Sequence, residues 1–68
     1  MYKITDPAKT LERIHVRLDE AFEMLDLYER QAADPEYAYP TVAASMVRYE
    51  KRRIAGLKSA ATRVTRMI

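Results

Sequence analysis

Glu12, His15 and Asp19 stand three and four residues apart, so a helix carries all three on one side, where an imidazole between carboxylates can hold a metal ion or pass a proton. His15 is the sole histidine and there is no cysteine, which excludes thiolate sites and leaves only oxygen-rich ones. A histidine tucked at the edge of an apolar seam explains the same spacing without a ligand, and it is the reading adopted: no metal site and no cofactor are expected. No nucleophile stands at a readable spacing from a general base, and with one glycine in the chain there is no phosphate-cradling loop. The expectation is a protein that is not an enzyme.

The side chains that remain suit binding. Tyr28, Tyr37, Tyr39 and Tyr49 converge near one point if the chain folds back at its middle, and tyrosine offers broad contact area with little rotamer freedom to lose. Tyr37, Tyr39, Arg48, Tyr49 and Arg52 are therefore the expected partner-binding residues. Tyr28 is assigned to the structure, with Tyr37 and Tyr39 exposed. Arg48, Arg52, Arg63 and Arg66, with Lys51 beside the first two, also make a basic line that phosphates can read, so DNA or RNA is the alternative partner.

Two helices must position these groups. Asp6-Pro7 is a helix start, with aspartate as N-cap and proline at the first helical position, where its missing N–H costs nothing. From there Leu11, Ile14, Leu18, Ala21, Leu25, Tyr28 and Ala32 repeat at alternating spacings of three and four, an unbroken heptad seam. Asp34-Pro35 stops that helix, and Pro40 restarts the chain with Tyr39 or Thr41 as cap. A second seam follows in Ala43, Val47, Glu50, Ile54, Leu57, Ala61, Val64 and Ile68, with Glu50 its one charged member. The expected organisation is a single domain with a helix over 7–33, a turn over 34–40 and a helix over 41–67.

So short a connection makes the helices antiparallel. The fold class is then all-α, a coiled-coil-like two-helix hairpin. Residues 1–36 hold five Lys/Arg against nine Asp/Glu and residues 37–68 seven against one, although the net charge is only +2. Folding back sets Asp19, Glu20, Glu23, Asp26 and Glu29 level with Arg48, Lys51, Arg52 and Arg53, so part of this polarity is expected to be consumed between the helices.

Phe22, Met24, Met46, Ala60 and Met67 widen the two seams beyond what two helices hide, and 68 residues are few for a self-sufficient core. Gly56, with Ala55, Ser59 and Ala60, either leaves a smooth patch where another backbone can come close or is simply a glycine tolerated on the surface. A homodimer forming a four-helix bundle is therefore expected, with Leu11, Ile14, Leu18, Phe22, Leu25, Met46, Val47, Ile54, Leu57 and Val64 in the core or dimer contact.

The seams Leu11 to Ala32 and Val47 to Ile68, joined at the Tyr37-Ala38-Tyr39 tip without cysteine, resemble the small host-takeover proteins of bacteriophages, the anti-quorum-sensing proteins of Pseudomonas phages among them. The resemblance implies a dimeric hairpin that inhibits host proteins by direct binding, with a quorum-sensing transcription regulator and a pilus assembly ATPase as targets. It carries over no binding residue. The expected function is thus to sequester or block a larger regulator, ahead of nucleic-acid binding and of a purely structural assembly role. The longest apolar runs are a few residues and Met1 to Asp6 lacks the core of a secretory signal, so no membrane is expected and the location is cytoplasmic, in the host cell if phage-encoded.

Overall fold

The computed structural model describes residues 5–68, which form two helices, α1 over Pro7–Ala33 and α2 over Pro40–Thr65, with no strand among the described residues. Asp6 caps α1: its backbone is extended and its Oδ1 accepts from the Lys9 amide at 3.2 Å. The Thr10 hydroxyl donates to the Asp6 carbonyl at 3.0 Å and pins the same turn.

Asp34 closes α1 by leaving the helical region, with its amide still donating to the Gln31 carbonyl at 3.3 Å. It then organises the connection. Its Oδ1 accepts from the Glu36 amide at 2.9 Å and its carbonyl accepts from the Tyr37 amide at 3.2 Å, a side-chain-supported turn with Pro35 in the position whose φ proline presets.

Tyr39 is the cap residue of α2 but contributes no side-chain cap bond; Pro40 at the helix start removes one amide that would lack a partner. The helix therefore begins one residue before the expected 41. It also ends short of the expected 67. The Met67 and Ile68 amides donate to the Val64 and Thr65 carbonyls, three residues back instead of four, a tightened last turn that satisfies the terminal carbonyls.

Helices of 27 and 26 residues are each about 40 Å long at ~1.5 Å per residue. The molecule measures 47 × 20 × 15 Å, so they lie side by side as a hairpin one helix thick. Ile14 and Ala21 of α1 and Ala43, Glu50, Ile54 and Val64 of α2 are buried between them. The other seam members Leu11, Leu18, Leu25, Tyr28, Ala32, Val47, Leu57 and Ala61 are only half-buried, as a seam served by one neighbouring helix must be. Ile68, expected to close the second seam, is exposed because α2 has ended before it.

Off the seam the hairpin presents two broad faces. One carries Phe22, with Lys58 Nζ 5.5 Å from its ring centre, and a groove lined by Glu29, Ala32, Ala33, Ala44, Val47 and Lys51. We call it the lysine face. At 100° per residue the opposite flanks of both helices make the other, the methionine face. It holds Arg13, Arg17 and Met24 of α1 beside a stripe on α2: Val42, Met46, Tyr49, Arg53, Gly56, Ala60, Arg63 and Met67. That stripe is spaced four, three, four, three to its end, a second heptad beside the first.

Candidate protein-binding surface

Tyr39 is 66% exposed at the tip and Tyr49 is 58% exposed two and a half turns into α2. Tyr37, expected to be exposed, is half-buried, and its ring meets Tyr39 edge-on at 6.4 Å and 81°. The turn that Asp34 organises draws Tyr37 inward, so it supports Tyr39 instead of offering its own surface. Tyr28 is half-buried on α1.

Arg48 and Arg52 lie on the back of α2 and are exposed; Arg48 donates from Nη2 to Ser45 Oγ at 3.4 Å, and neither pairs with a carboxylate among the described residues. Arg63 and Arg66 are exposed likewise, and so is Lys51. The one acid of residues 37–68, Glu50, is 3% exposed, which leaves the outer surface of α2 with cations alone.

The expected neutralisation between helices is not formed. Both ion pairs among the described residues are within a helix, Asp26 with Arg30 at 2.8 Å and Glu50 with Arg53 at 3.6 Å. Even Glu29 and Lys51, which line one groove, do not pair. The seam occupies the positions where the helices meet, which leaves the acids of α1 and the bases of α2 on outer flanks where water competes for them.

Glu50 is the site that sequence reasoning marked only as a break in the seam. Buried there, its Oε2 lacks a hydrogen-bond partner, and Arg53 Nη1 at 3.6 Å is the nearest cation. An isolated carboxylate in such a place is costly unless an opposite charge or hydrogen-bond donors are arranged around it.

His15, expected to be tucked at the seam edge, is exposed, as are Glu12 and Asp19, because the flank beside Ile14 faces solvent in a two-helix molecule. Among the described residues no three His, Asp or Glu side chains gather as a metal site would require. No helix among them is long and apolar enough to cross a membrane. Of the residues expected in the core or dimer contact, Ile14, Ile54 and Val64 are buried, Leu11, Leu18, Leu25, Met46, Val47 and Leu57 are half-buried, and Phe22 is 46% exposed. Val16, Leu27 and Val42, which the seam analysis passed over, are exposed as well. The second heptad on α2 was the signal that would have found Val42.

Comparisons with protein-family models, curated proteins and solved structures return no match.

Proposed function

We propose that this chain is a non-enzymatic protein-binding module that works as a homodimer and blocks or sequesters a larger regulator. The observation that carries the reading is that Arg48 and Arg52 are exposed on the back of α2 with no carboxylate partner among the described residues, while Tyr39 at the tip of the same hairpin is 66% exposed. Tyrosine and arginine together on an exposed surface are the composition from which binding hot spots are built. A transcription regulator or an assembly ATPase of a host cell, the targets implied by the phage-protein resemblance, are the partners to test first.

The test is affinity capture with the wild-type chain and with Tyr39→Ala and Arg52→Ala. The expected result is one protein retained in fixed proportion by the wild type and weakened at least about tenfold by either substitution, each worth ~1.4 kcal/mol or more. Equal retention by all three chains would remove the surface from consideration.

A second reading, nucleic-acid binding, draws support from the all-cationic exterior of α2. Phosphate contacts of this kind weaken steeply with salt, by about 0.9 in log K per log salt for each duplex phosphate neutralised. Affinity for duplex DNA or for RNA that survives physiological salt and falls with that slope would favour it; none at low salt would end it.

A further inference from the structure

We propose that the methionine face is the contact with a second copy of this chain, laid head to tail so that α2 crosses the partner's α2 beside Gly56. This rests on the homodimer reading above and gives it a surface and a direction.

Three observations select the face. Its α2 stripe keeps heptad spacing with Arg53 and Arg63 as its charged members, yet its apolar ends Val42 and Met67 are 57% and 58% exposed in the single hairpin, as is Tyr49 at 58%. The lysine face is instead partly screened by Lys58 on Phe22 and edged by Glu29 and Lys51. Gly56 points the same way: it has no positive φ, and a Cβ built there meets nothing within 4 Å, so the hairpin itself has no use for a glycine that weakens a helix. A second backbone passing close over it does.

The amount of surface agrees. The chain exposes 5527 Å², whereas a compact monomer of its mass exposes about 4400 Å². The excess, on the order of 1000 Å², is comparable with the ~800 Å² that each partner of a stable interface buries.

The direction follows from shape and charge. With the α2 helices antiparallel about a two-fold axis, the stripe is its own complement: Tyr49 lies over Ala60, Arg53 over Gly56, Val42 against Met67 and Met46 against Arg63. Tyr49 and Arg53 meet the small Ala60 and Gly56, Val42 meets Met67 in an apolar contact, and the stem of Arg63 lies along Met46. Arg13 and Arg17 line one groove and Arg63 another, and together they make a basic cluster in the half of the hairpin away from the turn. Head to tail, the two clusters are about 25 Å apart, well beyond the ~8 Å screening length of physiological salt. Packed tip to tip, they would coincide and repel.

The test combines sedimentation with cross-linking in the full chain. Wild type is expected to be dimeric at about 50 µM, and Gly56→Leu and Tyr49→Ala to weaken dimerisation at least about tenfold without lowering helix content, while Phe22→Ala shifts it less than about twofold. The native chain has no cysteine, so Val42→Cys mixed with Met67→Cys is expected to oxidise chiefly to the mixed disulfide. A dimer indifferent to Gly56→Leu and Tyr49→Ala, or Val42→Cys joining mainly to itself, would overturn this face or this direction while leaving the homodimer standing. A wild-type monomer would overturn both.

Discussion

Glu50 sets the residue-scale problem, because it places a carboxylate where the heptad asks for an aliphatic side chain. It occupies a seam position between Val47 and Ile54, is almost wholly withdrawn from water, and has one oxygen with no hydrogen-bond donor. Arg53, 3.6 Å away and itself 34% exposed, does not recover the cost of taking the carboxylate out of water, and replacing such a buried charge and its partner by apolar groups is often stabilising. We therefore expect Glu50→Leu to raise stability by about 1 to 3 kcal/mol in denaturant unfolding, and Arg53→Ala, which strands the carboxylate, to lower it by at least ~1 kcal/mol. If Glu50→Leu also yields mixed oligomers by light scattering, the carboxylate is a device that fixes register, as single polar seam residues do in coiled coils. Sequence showed that Glu50 interrupts the stripe. It did not show burial, because a glutamate on a seam can also reach out to solvent along its own stem.

At the scale of the element, the boundaries were legible wherever a side chain sets the backbone. Asp6-Pro7 and Asp34-Pro35 do so by capping and by proline's fixed φ, and α1 lies between them. Asp6→Ala is expected to cost about 1 kcal/mol, read from the urea midpoint, whereas Thr41→Ala costs a few tenths at most because Tyr39, not Thr41, holds the cap position. The end of α2 was less legible. Nothing in Thr65-Arg66-Met67-Ile68 forbids helix, and the chain stops there by tightening its last turn, a choice among near-equal backbone states that residue types do not dictate. The inward set of Tyr37 was hidden for a similar reason: it depends on the Asp34 turn, and turn geometry decides which of two neighbouring tyrosines faces water.

The whole molecule is two amphipathic helices whose apolar flanks are wider than their mutual seam. The fold and the seam could be read directly from spacing, since heptads with a single break allow little else. The charge pattern misled, because segregation of acids to α1 and bases to α2 looked like mutual attraction, yet the described ion pairs lie within helices. Stability should accordingly be nearly indifferent to salt: raising NaCl from about 0.1 to 1 M is expected to change the unfolding free energy by less than ~1 kcal/mol, apart from any effect on assembly. A larger loss would mean that cross-helix pairs form in solution. The unsatisfied apolar surface argues instead that most of the stability comes from association, which makes melting depend on concentration.

Sedimentation equilibrium over roughly a hundredfold range of concentration, with thermal melts on the same samples, tests that claim most directly. The expected result is a species of twice the 7.9 kDa chain mass and a midpoint that climbs as the protein is concentrated. A single 7.9 kDa species throughout, melting cooperatively at one unchanging temperature, would contradict it.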